Sequence, residues 1–300
     1  VSGPVTFTLD LEDLRTSPEQ EQRVDRIAHR VFDLVAAHGV RGTVFVVGEL
    51  AEAHPALVRR VAADGHELGL HSFRHVPIGS VEPDVFRAEI RKGKELLEDL
   101  GQQPVRGYRA PMMSLVPDSS WALPIIGELG FDYSSSVLPA PSPLYGWPGL
   151  PGTPFAWDNG VVELPCPLVR VLGAQLPFLG GTYLRVLPDR VRRFGTDRAP
   201  AEQVLWTYCH PWEFDPDEPY YEFDHIGSVA SRVAWLNRKG MTGRIRRLLE
   251  GPVGPPLAER VDALDRAALP VVAITSAAAH EPGRLAGLVG GLFRRSAPAA

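Results

Sequence analysis

Alternating apolar and polar residues open the chain. Val5-Thr-Phe-Thr-Leu-Asp10 predicts a strand whose carboxyl end delivers Asp10, Glu12 and Asp13 to a loop. From Pro18 to His38 the period changes: Val24, Ile27, Val31, Leu34 and Val35 form a helical stripe that Gly39 stops. Thr43 to Val47 predicts a second strand, Ala51 to Ala63 a helix closed by Gly65, and His66 to His71 a short third strand. Glu82 to Leu100 is the next helix, followed by a strand from Val105 to Tyr108, a helix from Asp118 to Leu129 and a strand from Phe131 to Ser134.

Strand and helix alternating in this way predict a parallel sheet with right-handed crossovers. We expect an α/β protein, a distorted (β/α) barrel of about seven parallel strands, with its chemistry at their carboxyl ends. Ser136 to Asn159 interrupts the rhythm. It is crowded with Pro and Gly and carries Tyr145, Trp147 and Trp157, which predicts an ordered excursion over the barrel mouth. Strands resume at Val161 to Leu164, Val204 to Cys209 and Val271 to Thr275; helices are expected over Ser228 to Lys239, Thr242 to Leu249 and Leu257 to Ala268. The division expected is one barrel domain over 1–280 and a tail over 281–300, the latter with a short helix from Leu285 to Phe293.

Composition narrows the function classes. A formal net charge of −5 with dispersed Lys and Arg gives no basic, aromatic-interleaved surface, so a nucleic-acid partner is not expected. No run of about 20 apolar residues predicts a membrane span. The opening residues lack a signal-peptide pattern, so a cytoplasmic location is expected, although a chain with its leader removed would look the same. Cys166 and Cys209 are the only cysteines and say little about compartment.

The candidate chemistry lies at the predicted strand ends. In Gly65-His-Glu-Leu-Gly-Leu-His71-Ser-Phe-Arg-His75, two imidazoles four residues apart have the spacing at which one Zn²⁺-like ion can be gripped by both. Asp10, Glu12 and Asp13 offer carboxylates, Arg109 before Ala-Pro111 an orienting cation, and His210 before Pro211 an acid. Taken singly, each is an ordinary strand-end residue; together they have complementary roles.

In this order the motifs resemble the polysaccharide deacetylase family of carbohydrate esterases, which includes the nodulation-type chitooligosaccharide deacetylases. Asp10-Leu-Glu12-Asp13 stands where that family has paired aspartates, and Tyr208-Cys-His210 where it has its catalytic histidine. Gly107-Tyr-Arg-Ala-Pro111, Asp132-Tyr-Ser-Ser-Ser136, Gly180-Gly-Thr-Tyr183-Leu-Arg185 and His210-Pro-Trp-Glu-Phe-Asp215 resemble a subgroup associated with exopolysaccharide gene clusters. Two departures stand out. Leu11 separates Asp10 from the next acid, so Glu12, which returns to the same side of an extended strand, is the expected third ligand with Asp13 its rival. Tyr208 also replaces the usual leucine.

The resemblance implies a metal-dependent N-deacetylase acting on an N-acetylated amino sugar in a glycan or glycan precursor. His71, His75 and Glu12 would hold a divalent ion, Zn first, with Co or Ni as alternatives. Asp10 would be the base, aimed by Arg109; His210 would protonate the leaving amine with Asp132 as its support; and a backbone N–H near Met112 would meet the oxyanion. Trp147, Trp157, Tyr183 and Trp212 are candidates for stacking on sugar rings or for core packing. Arg185, near a Gly-Gly turn, could meet an acidic sugar or phosphate, or be an ordinary surface arginine. Two other functions remain open: hydrolysis of a cyclic amide or ureide on the same scaffold, and glycan binding by a catalytically silent module.

Overall fold

The computed structural model describes residues 3–15, 20–171, 173–222 and 227–274. In chain order the strands are β1 (Val5–Thr6), β2 (Thr8–Leu11), β3 (Thr43–Val46), β4 (Glu67–Leu70), β5 (Gly107–Tyr108), β6 (Tyr133–Ser134), β7 (Phe155–Trp157), β8 (Val162–Glu163), β9 (Leu168–Val171), β10 (Ala174–Pro177), β11 (Leu205–Trp206), β12 (Val253–Gly254) and β13 (Val271–Val272). The helices are α1 (Val24–Ala36), α2 (Gly48–Ala53), α3 (Pro55–Ala63), α4 (Pro83–Gly101), α5 (Ala122–Glu128), α6 (Gly181–Val186), α7 (Asp189–Arg198), α8 (Gly227–Trp235), α9 (Met241–Leu249) and α10 (Leu257–Asp262).

Eight strands pair in the order β13-β7-β8-β6-β5-β4-β3-β2, and β1, which continues into β2, lies parallel between β11 and β12. A parallel bridge from Leu9 to Cys209 ties the two sheets together. β1/β2, β3, β4, β5, β6, β8 and β11 run parallel and wrap into a distorted α/β barrel, as the alternating pattern predicts. β7 departs from that rule. It runs antiparallel to β8, because Asp158, Asn159 and Gly160 turn the chain straight back.

Strand alternation sorts the side chains into two layers. Val44, Val46, Leu68, Leu70, Leu9 and Leu11 face the surrounding helices, where they pack with Ile27, Val31, Leu57, Val58 and Ile90. Phe45, Tyr133, Val162 and Trp206 fill the barrel interior. Helix α10 packs Leu257, Ala258 and Val261 into that interior cluster. Its first N–H groups donate to Thr43 Oγ1 (2.8 Å) and Glu67 Oε2 (3.0 Å), so barrel side chains satisfy the helix end.

Several boundaries differ from expectation for local reasons. The single helix expected over Ala51 to Ala63 is two, α2 and α3, because Pro55 cannot continue α2 and instead starts α3. The excursion after Ser136 is partly a strand, β7, and its aromatics are core: Trp147 and Trp157 are buried with ring centroids 5.4 Å apart. Leu257 to Ala268 is α-helical only to Asp262, with a separate 3-10 turn over Arg266–Ala268. The hairpin β9–β10 and the helices α6 and α7 were not anticipated. Pro18, Thr275 and the tail with its expected Leu285 to Phe293 helix lie outside the described residues.

Candidate metal centre and active site

The inward parity that fills the barrel with apolar side chains also builds the site at its carboxyl end. Thr8 and Asp10 alternate along β2 and Glu12 follows just past its end by the same step of two, as His71 and Arg109 follow the inward residues of β4 and β5. His71 Nδ1 lies 2.9 Å from the Arg109 carbonyl oxygen, to which it donates, so Nε2 turns its lone pair to the site. That Nε2 is 3.6 Å from Glu12 Oε2, and His75 Nε2 contacts the same oxygen. The loop between them is strained: Ser72 and His75 adopt φ of 60° and 54°, the left-handed region that non-glycine residues seldom occupy.

Glu12, His71 and His75 each present one ligand atom, all within 4.8 Å of one another, and the first two residues are buried. Two imidazole nitrogens and one carboxylate oxygen form a donor set suited to a divalent cation with open positions for water and substrate. Asp13, the rival ligand, turns away and binds Arg15 Nε at 2.7 Å. Burial alone would raise the Glu12 carboxyl, but His75, His210 and His71 together hold it well below its ordinary range.

Across from this cluster, Arg109 is fully buried, its guanidinium between the rings of Phe45 and Trp206 at 4.0 and 4.3 Å. Nη1 donates to Asp10 Oδ1 (2.6 Å) and Thr8 Oγ1 (2.9 Å), and Nε donates to Ser135 Oγ (2.9 Å). The other Asp10 oxygen, Oδ2, faces His210 Nε2 at 3.8 Å, and Glu12 Oε1 lies 3.8 Å from the same nitrogen. Burial works against a charged His210, yet Glu12, Glu213 and Asp10 outweigh it and push the imidazole up to about 9.

Expectations for three individual residues change. Asp132 precedes β6 and so sits at the amino end of its strand; it pairs with Arg106 at 2.5 Å and does not support His210. Glu213 holds that imidazole instead, with Oε2 3.0 Å from Nδ1. Arg185 is fully buried and bound to Glu213, so it cannot meet a sugar. Trp212 stacks on His210 at 5.0 Å and 13°, and its Nε1 donates to Glu12 Oε1 at 3.2 Å, which makes it a wall of the site. Tyr183 lies half-buried on α6, its phenol raised by burial. Met112 stands in a left-handed turn, with φ of 54°, just after Arg109-Ala-Pro111.

Sequence reading missed Thr8, Ser135 and Glu213. Only Glu213 had a signal: His210-Pro-Trp-Glu213 has the spacing of a capping box, in which the third helical residue reaches back to the cap residue before the helix. The Glu213 carboxylate accepts the His210 backbone N–H at 3.1 Å.

The fold is thus a parallel-stranded α/β barrel with a Glu12, His71 and His75 cluster at its carboxyl end. Residues 11–133 match the polysaccharide deacetylase family, and residues 135–252 match a domain of unknown function (DUF3473). The two matches meet at β6, inside one continuous sheet. A peptidoglycan-N-acetylglucosamine deacetylase of Bacillus cereus is 32% identical over 94 residues, 31% of this chain and 34% of the relative. A chitooligosaccharide deacetylase of Rhizobium leguminosarum bv. trifolii is 33% identical over 85 residues, 27% of this chain and 40% of the relative. The matches thus span about a third of these relatives' length. The fold is shared with a solved Mycobacterium smegmatis protein provisionally classed as a polysaccharide deacetylase, at 22% identity and a TM-score of 0.51 over 97% of this chain and 91% of that one.

Proposed function

We propose that the protein is a metal-dependent N-deacetylase that hydrolyses the acetamide of an N-acetylated amino sugar in a glycan or glycan precursor. One observation carries the reading: His71, His75 and Glu12 converge on one point while Asp10 and His210 face each other beside it at 3.8 Å. The names of the relatives, which act on peptidoglycan and chitooligosaccharide, point to the same substrate class.

Glu12, His71 and His75 would hold the cation, with Zn the first candidate. When bound it supplies Lewis acidity toward the amide carbonyl and acidifies a water. Asp10 takes the proton of the attacking water at Oδ2, because Arg109 occupies Oδ1 and aims the carboxylate. As the C–N bond breaks, His210 gives its Nε2 proton to the departing nitrogen, since an amine leaves only when protonated. The Met112 N–H is the proposed donor to the developing oxyanion. Acetate and a free amino sugar are the products.

The reading is tested by incubating the protein with a panel of N-acetylated oligosaccharides and nucleotide sugars and following products by mass. Loss of one acetyl group from at least one member is expected. Turnover of cyclic amides or ureides alone would move the protein to a different reaction, and binding without turnover would make it a glycan-binding module.

A further inference from the structure

Behind His210 lies an ion pair that the proposed chemistry does not use. Arg185 on α6 and Glu213 in the turn after β11 are both fully buried, and they meet at 3.0 Å. Glu213 divides its oxygens. Oε1 accepts from Arg185 Nε (3.1 Å) and lies 3.0 Å from Nη2; Oε2 accepts from the His210 backbone N–H (3.1 Å) and lies 3.0 Å from the ring Nδ1. Arg185 is fixed in turn. Its Nη2 donates to Thr182 Oγ1 (3.1 Å), and its Nη1 donates to the Leu236 and Val233 carbonyls at the end of α8.

The backbone makes room for this pair. A Cβ on Gly181 would stand 1.5 Å from Glu213 Oε2, so only glycine fits where α6 begins. On the far side of the ring, Trp212 stacks on His210, while the guanidinium carbons of Arg185 and Arg238 stand over the indole at 5.7 and 5.1 Å. Burying two charges is costly unless each is hydrogen-bonded, and here the bonds end on the one ring that faces Asp10. All of these residues lie within 135–252, the stretch matched by the domain of unknown function.

We propose that Glu213, clamped by Arg185, is the positioning residue for His210, and that supplying this clamp is a function of the second matched region. A carboxylate on Nδ1 keeps the proton on that nitrogen and fixes the ring plane, which points Nε2 at the reacting atoms. The proposal rests on the deacetylase reading for its kinetic consequence, whereas the ring geometry can be read without any substrate.

The test has a spectroscopic arm and a kinetic arm in the full chain. In ¹H–¹⁵N spectra of labelled protein, with His210 assigned by its absence in His210→Ala, a ring Nδ1 proton protected from exchange with water is expected. In Glu213→Gln the carboxylate's charge is gone and one acceptor oxygen is left for two sets of donors, so the Nδ1 proton should exchange with water faster than in the wild type. On a substrate found by acetyl release, Glu213→Gln should lower kcat about 100-fold per folded molecule and change KM less than about threefold. Arg185→Lys keeps the charge but loses the fork, and should lower kcat about tenfold; it serves as the second variant where Glu213→Gln does not fold. An unprotected Nδ1 in the wild type overturns the clamp, as do wild-type kcat values in both variants. Absence of turnover in the wild type sinks the deacetylase reading and leaves the spectroscopic arm to decide the clamp.

Discussion

Arg109 Nη1 and Asp10 Oδ1 meet at 2.6 Å where the side chains are 0% and 4% exposed, so the barrel commits a buried ion pair to hold one carboxylate. The same arginine donates to Thr8 and Ser135, which ties three strands to the orientation of Asp10. Removing one partner of such a pair leaves the other charge buried and alone. Arg109→Met should therefore cost about 3–5 kcal/mol in unfolding free energy, read from a urea transition. In the fraction that folds, kcat should fall by about 10²–10⁴ as the base loses its aim.

The Arg106–Asp132 pair provides the contrast. Its side chains are 28% and 39% exposed, so solvent screening leaves it worth less than about 1 kcal/mol. Asp132→Asn should leave kcat and KM at wild-type values and shift the urea midpoint only slightly. A large fall in kcat with KM unchanged would restore Asp132 to the acid machinery.

Trp212 reaches Glu12 with its Nε1 at 3.2 Å while its ring covers His210. Trp212→Phe keeps the stacking surface and removes the donor. Outer partners of this kind orient a ligand, so Zn²⁺ affinity measured by competition with a chromophoric chelator should weaken about tenfold. Unchanged affinity would show that Glu12 is oriented without the indole.

His210 gives a pH dependence with a definite sign. Its folded value is raised to about 9, above the unfolded imidazole's ordinary 6.5 or so, so charging it stabilises the fold. That contribution is complete below about pH 6.5 and is lost as pH rises through about 9. In chelator-treated protein the thermal midpoint should drop across this window, and His210→Gln should flatten the drop. An equal drop in both would assign it to another group.

Much of the site was legible because strand parity is a strict constraint. The step of two from Asp10 to Glu12 selects Glu12 over Asp13, and the structure puts Asp13 on Arg15. Asp132 misled because its strand, expected from Phe131, begins two residues later at Tyr133, so Asp132 precedes it at the amino end of the barrel. Arg185 and Trp212 looked like substrate contacts, since sequence shows side-chain chemistry but not which neighbours enclose it. Glu213 was missed for the complementary reason: an acid three residues after a histidine reads as a cap, and only the arrival of α6 from elsewhere in the chain makes it a buried partner. The β7 reversal depended on a three-residue turn within a stretch dominated by Pro and Gly, where periodicity carries no information.

The claim that Glu12, His71 and His75 hold a catalytic divalent ion is tested most directly by acetate release from one N-acetylated oligosaccharide, before and after chelation and again after Zn²⁺ is restored. The account predicts loss of release on chelation, recovery with Zn²⁺ in the wild type, and no recovery in His75→Ala or Glu12→Ala. Release that persists through chelation, or recovery in either variant equal to that of the wild type, would contradict it.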